Sequence, residues 1–261
     1  MKDGFRKRSL NRFCSCRRTL DDNQVEQRES VSSTVGSTTF LSNSLFDFGI
    51  SAKDYEQWYR TPQGRIYDRI QKRDVLTFLS HPQWDKHLLD VGCGTGHWSM
   101  FFGSLGYKVV GVDISHQMID VARNHCATNC FFQVSDACHL PFKDQCFDIV
   151  TTMATLEFVS DVQHALEEMF RCVKEDGCVL IGTLNRLAPI NQQRLAEGRE
   201  PYASGYLRSP DELHALLKRF GSVRMVASSP SANEPGNLLT HRISPDSLPL
   251  RGPFIIAEVK R

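Results

Sequence analysis

The run Leu88-Leu89-Asp90-Val91-Gly92-Cys93-Gly94-Thr95-Gly96-His97-Trp98-Ser99 restricts the fold of this chain more than any other stretch. Leu88, Leu89 and Val91 form a short apolar run suited to a central strand, interrupted near its carboxyl end by Asp90. Three glycines at spacing two follow, and without a Cβ their backbone can approach a ligand closely. Helix then begins near His97, so the run reads as strand, glycine turn, helix. Two other glycine loops do not fit it. In the dinucleotide fingerprint GxGxxG counted from Gly92, the third glycine falls on His97. A Walker-type phosphate loop needs a lysine and a hydroxyl residue after its last glycine, and none follows here.

Further strands follow at regular spacing. Tyr107 to Val112 predicts a second strand, ending at Asp113. An acid there, about 20 residues past such glycines, can bind both hydroxyls of a ribose. An ionised carboxylate only accepts hydrogen bonds, which suits a cis-diol offering two donors. Phe131 to Val134 predicts a third strand, followed by Ser135, Asp136 and Ala137, and Phe147 to Thr152 predicts a fourth. Ser115 caps a helix running to about Ala127, and Ser160-Asp161 caps another from Val162 to Val173. Ahead of the first strand, Ala52 to Tyr59 sets Tyr55, Trp58 and Tyr59 on one aromatic helical face. Pro62 opens a second helix to about Leu79, which His81-Pro82 ends.

Downstream, Val173 to Leu184 contains a turn at Lys174-Glu175-Asp176-Gly177 and then a fifth strand. Residues 185–208 are polar and irregular, long for a connection, and read as a lid or binding loop. Pro210 to Phe220 predicts a helix, Ser222 to Ala227 a strand, residues 228–252 a proline-bearing loop, and Phe254 to Val259 a last strand. Alternating strands and helices predict an α/β fold, a mainly parallel sheet with helices on both faces. The two late strands, with no helix between them, suggest an antiparallel hairpin.

An acid two residues before GxGxG, with strand-end acids at this spacing over residues 86–184, resembles the class I S-adenosylmethionine-dependent methyltransferases. Within them it is similar to the Methyltransferase-11 or ubiquinone/menaquinone-biosynthesis-like group, over roughly residues 46–227. The resemblance implies a Rossmann-like fold with a seven-stranded, mostly parallel sheet. It implies S-adenosylmethionine as cofactor and direct displacement of its methyl group by a small-molecule acceptor. It carries cofactor-binding roles onto Asp90, Gly92, Cys93, Gly94 and Gly96 in the first loop and Asp113, Ile114 and Met118 at the second. Asp136 and the backbone of Ala137 would meet the adenine, and Met153 would begin the floor of the substrate pocket. Tyr55, Trp58 and Tyr59 match an N-terminal helix that covers the cofactor in relatives, although the same stripe could simply dock the helix. Glu157 stands where many relatives have a Glu or His near the acceptor, which makes it the candidate general base. Its alternative role is to partner a nearby Arg or a helix terminus. His97 reads as a helix-start residue able to bond the loop backbone, His139 as a polar loop residue and His164 as a surface one. Tyr202 and Tyr206 in the long loop would face substrate or anchor the loop.

Net charge is +1 and no apolar run approaches the roughly 18 residues of a membrane span, so nothing global points to nucleic acid or membrane. The nine cysteines form no CxxC pair, which excludes zinc-ribbon and thioredoxin readings, and no metal cluster is evident. Cys126, Cys138, Cys146, Cys172 and Cys178 sit beside apolar residues, read as reduced core thiols and imply a cytoplasmic compartment. Residues 1–45 differ from the rest. Lys2, Arg6, Lys7, Arg8, Arg12, Arg17 and Arg18 precede a Ser/Thr-rich tract to Ser44, a signature of disorder. The expected organisation is a tail over 1–45, a helical lid over 46–80 and a cofactor-binding core over 86–184, with the methyltransferase domain reaching 261. The basic tail leaves a nucleic-acid methyltransferase as one alternative. Against it, the fourth strand runs into TTMATLEF, without the proline pair of amino-directed enzymes, and no Pro-Cys exists for cytosine-C5 chemistry. A second alternative is a regulatory protein that binds the cofactor without turnover. Asp90, Asp113 and Asp136 are all intact, which argues against a decayed site. The acceptor and the oligomeric state stay open.

Overall fold

The computed structural model describes residues 43–48, 55–79, 85–125, 128–228 and 252–261. The tail before Asn43, the start of the aromatic helix at 52–54, His81-Pro82 and all but the ends of the 228–252 loop lie outside the described residues. In chain order the elements are α1 (Gln57–Arg60), α2 (Pro62–Leu76), β1 (His87–Val91), α3 (His97–Ser104), β2 (Lys108–Asp113), α4 (His116–Arg123) and β3 (Cys130–Val134). They continue with β4 (Phe147–Met153), α5 (Val162–Cys172), β5 (Val173–Leu184), α6 (Pro189–Ala196), α7 (Pro210–Leu217), β6 (Ser222–Ser228) and β7 (Phe254–Lys260).

The seven strands form one sheet in the order β3-β2-β1-β4-β5-β7-β6. Neighbours from β3 to β5 pair in parallel, and β7 runs antiparallel to both β5 and β6. The fold is therefore the expected Rossmann-like α/β architecture with the expected terminal hairpin. Period-two alternation sends side chains of each central strand to opposite faces. Leu89, Val110, Val150 and Ile181 join a core under α5 and α7, and Leu88, Val109, Ile149 and Leu180 join a second core under α2 and α3. That double burial explains the continuous apolar runs in the sequence. The chain leaves β1 outward through β2 and β3, then returns to β4 on the other side of β1. A crevice opens at the carboxyl ends of the strands at such a reversal, and this one carries the site.

Local chemistry sets the helix ends. The Thr61 hydroxyl accepts the Gly64 N–H with Pro62 at the first turn, and the Ser115 hydroxyl accepts the Met118 N–H. Ser209 and Glu212 form a reciprocal capping box at α7. Asp161, rather than Ser160, caps α5 by accepting from His164. Three expectations need correction. Among the described residues, the helical part of the aromatic segment is a single turn, α1, which ends where Thr61 goes extended and its N–H closes on the Trp58 carbonyl. α4 stops at Arg123 rather than near Ala127. The irregular stretch 185–208 holds a helix, α6. Pro189 opens it, and its polar side chains are turned inward: Asn191 Nδ2 donates to the carbonyls of Asn185 and Pro253. Hydrophobic periodicity therefore carries no trace of α6.

Candidate active site

Two cavities lie above the carboxyl ends of the strands. The first, about 400 Å³, is lined by Asp90 and Gly92 from β1, Asp113 from β2, Asp136 and Ala137 after β3, and Met153 to Thr155 after β4. Residues 43–48 also line it. The second, about 980 Å³, extends toward α2 and α6. Phe46, Phe48, Tyr55, Tyr59, Trp98, Ala154 and Phe158 line both, so one mostly aromatic wall is shared between them.

The glycine loop of the first cavity is shaped by local contacts. The N–H groups of Gly92 and Cys93 both donate to the Val112 carbonyl, which folds the loop back over β2. Gly92 has φ +71°, and a Cβ there would land inside the Thr155 side chain. Gly94 has φ +54°, and a Cβ there would meet only Tyr55, 4.0 Å away, so its missing side chain leaves space in the cavity. Cys93, Ile114 and Met118 also line this cavity. Gly96 does not: it caps α3 and faces Phe132 and Ala122, so its small size serves helix packing.

The three acids differ in what they hold. Asp90 is shut from solvent, its Oδ2 accepting from Ser99 at 2.6 Å and its Oδ1 from Thr151 at 3.1 Å. Burial outweighs these bonds and pushes its carboxyl up to about 6. Asp113 accepts the Gly94 N–H on Oδ2 at 2.8 Å and the Ser115 N–H on Oδ1 at 2.9 Å, tying the glycine loop to the start of α4. Burial raises its carboxyl and the backbone donors oppose the rise. The carboxylate lines the cavity, and its two oxygens have acceptor capacity beyond these backbone bonds. Asp136 accepts the Cys138 N–H at 2.9 Å and, on its other oxygen, the side-chain amide of Asn43 at 2.6 Å.

Above the loop, Tyr59 stacks on His97 with ring centroids 3.7 Å apart and 14° between planes. His97 makes its polar side-chain contacts with α2 rather than with the loop backbone. Its Nε2 lies 2.7 Å from Asp68 Oδ1 and 3.0 Å from Lys72 Nζ, both on α2. Burial alone would raise the Asp68 carboxyl, but the His97 and Lys72 bonds outweigh it and hold it below the usual carboxylate range. Burial lifts both Tyr55 and Tyr59 above the ordinary phenol value, so both hydroxyls are neutral donors at neutral pH.

Glu157 lines neither cavity. It is fully buried, its Oε1 accepts the Leu184 N–H at 2.5 Å, and its Oε2 has no partner. The geometry joins the segment after β4 to the end of β5, which corrects the expectation of a base facing the acceptor. His139 is exposed beside Asp136, and its ring meets His164 edge to face. Tyr202 lines the second cavity, and Tyr206 is exposed with the Arg208 guanidinium over its ring. Sequence reasoning missed Asn43, because it sits in a Ser/Thr-rich tract with no periodicity. It missed Asp68 because nothing in α2 marks one acid among several charges.

Comparison with known proteins adds an independent line. Residues 89–181 match the family described as Methyltransferase domain. The ubiquinone biosynthesis O-methyltransferase of Coxiella burnetii is 40% identical over 104 residues, 39% of this chain and 44% of that protein. The demethylmenaquinone methyltransferase of Staphylococcus aureus is 34% identical over 162 residues, 54% of this chain and 66% of that protein. The chain thus spans about half to two thirds of the length of these relatives. A solved S-adenosylmethionine-dependent methyltransferase of Thermotoga maritima superimposes with a TM-score of 0.65 at 23% identity, over 82% of this chain and 97% of that one. At that identity the likeness speaks for the fold.

Proposed function

We propose that this chain, whose residues 89–181 match the methyltransferase-domain family, moves the methyl group of S-adenosylmethionine onto a small, flat acceptor. The observation that carries the reading is the pair of cavities sharing one aromatic wall at the strand reversal. The first cavity fits the cofactor. Gly94 leaves backbone open to it, Asp113 presents spare lone pairs for a ribose diol, and Asp136 with Ala137 stands where an adenine would end. The N-terminus of α3 supplies partial positive charge for a carboxylate.

S-adenosylmethionine, when bound, supplies a sulfonium methyl already activated for displacement. The chain's own task is to align, enclose and dry the reacting atoms. Phe46, Phe48, Tyr55 and Phe158 close the space between the cavities, with Phe48 and Phe158 in edge-to-face contact at 4.8 Å. The second cavity, with Trp58, Tyr67 and Phe254 on its walls, suits an aromatic acceptor. The relatives named for ubiquinone and menaquinone biosynthesis agree with such a shape. Glu157 acts as a positioning residue, holding the β4 and β5 ends that floor the site. No two of the six described cysteines are joined in a disulfide, which is compatible with a reducing setting. No helix among the described residues is long and apolar enough to cross a membrane.

Calorimetric titration with S-adenosylmethionine and S-adenosylhomocysteine tests the cofactor assignment. Both should bind with micromolar affinity, and Asp113→Ala should weaken them by at least about tenfold, as loss of a charge-assisted hydrogen bond worth roughly 1.5–3 kcal/mol. Equal affinity in a folded variant would remove Asp113 from the site. Conversion of S-adenosylmethionine to S-adenosylhomocysteine with an aromatic acceptor then separates an enzyme from a binding protein.

A further inference from the structure

The second cavity contains a buried cation that the reading above does not use. Arg194, on α6, lines this cavity and is nine-tenths buried. Its Nη1 donates to Asn191 Oδ1 at 3.1 Å, and its guanidinium lies over the Tyr202 ring at 4.5 Å. Its Nε is buried without a hydrogen-bond partner, and no carboxylate among the described residues pairs with it. Asn191 is itself fixed, since its amide nitrogen donates to the carbonyls of Asn185 and Pro253. The guanidinium is therefore held in place from one side and from one ring face, with its charge uncompensated. A buried cation without a counter-charge is costly, and structures keep one chiefly where a ligand completes the pair.

We infer that Arg194 is the anchor for a carboxylate on the methyl acceptor, an inference that rests on the second cavity being the acceptor chamber. A single buried guanidinium balances a monoanion, which favours a carboxylate over a phosphate dianion. Exposed Arg199 and Glu200 also line this cavity and roughly cancel one another in charge. Arg194 lines the second cavity and not the first, so it stands off the shared wall. The carboxylate is thus a handle off the shared wall, and the atom that takes the methyl is another one, facing Tyr55, Tyr59 and Ala154. The predicted acceptor class is an aromatic acid carrying its nucleophilic group away from the carboxylate.

The experiment is calorimetry on protein saturated with S-adenosylhomocysteine. The probes are benzoate, 3,4-dihydroxybenzoate and 2-naphthoate, each against its neutral amide, with phenyl phosphate alongside. At least one acid should bind about tenfold or more tightly than its amide, and R194Q should abolish that preference while S-adenosylhomocysteine still binds. R194K, which keeps the charge but loses the planar fork, should retain part of it. Equal binding of acids and amides, no binding of any acid, or a preference that survives in R194Q would overturn the anchor. Tighter binding of phenyl phosphate than of every acid would overturn the choice of carboxylate. Failure of S-adenosylhomocysteine to bind the unmodified chain would instead strike the cofactor reading beneath it.

Discussion

Asp90 is a carboxylate enclosed in the core, and its environment makes the chain's stability depend on pH. In the fold it holds its proton up to about pH 6, against 3.8 when free. Folding therefore takes up a proton between those values, and the contribution of Asp90 grows more favourable as pH falls from above 6 to below 3.8. The full swing is roughly 3 kcal/mol. Asp90→Asn removes the titration while keeping the shape. Melting curves at pH 8 and pH 4.5 should show the variant gaining several degrees on the parent at the higher pH, with the gap shrinking at the lower. A gap that does not move with pH would mean that Asp90 is solvated. Asp90, Asp113 and Asp136 were legible in the sequence because each ends a strand at a fixed distance from a glycine turn. Asn43 and Arg194 were not. What gives each its meaning lies far along the chain: Asp136 for one, and for the other a cavity assembled from distant segments.

Among the elements, the glycine loop separates two roles that its GxGxG spelling merges. Gly92 is pinned against Thr155, whose hydroxyl donates to the Gly92 carbonyl at 3.1 Å, whereas Gly94 faces open space. Gly92→Ala should destabilise the fold by more than about 2 kcal/mol, combining a left-handed backbone with a clash. Gly94→Ala should lose only about 1 kcal/mol or slightly more, from backbone strain, yet weaken S-adenosylhomocysteine binding at least tenfold. Chemical denaturation and calorimetry on the two variants give both numbers, and equal loss of stability in the two would refute the division. Periodicity exposed the strands and the amphipathic α5 well, because their apolar faces meet a core. It concealed α6, whose inward face is Asn191 and Arg194, since buried polar groups look like surface in a sequence.

At the scale of the whole molecule, the first described residues belong to the site rather than to a tail. Asn43 accepts the Ser160 N–H on its carbonyl, Leu45 donates to the Phe158 carbonyl, and Phe46 and Phe48 form part of the shared wall. The expected boundary after residue 45 thus falls inside a working segment, and composition could not reveal it because Ser/Thr-rich chain carries no periodic signal. Extending an N-terminal truncation from 1–42 to 1–48 should weaken S-adenosylhomocysteine binding by about tenfold or more, and indistinguishable calorimetric titrations of the two truncations would disprove that role. The shared wall has one more consequence. Its side chains face two compartments at once, so neither compartment can be filled without changing the surface offered to the other. By reciprocity, whatever factor the cofactor contributes to acceptor affinity the acceptor must return to the cofactor. On the proposed assignment of the two cavities, the departure of the two products is then a coupled event whose order depends on the aromatic partition.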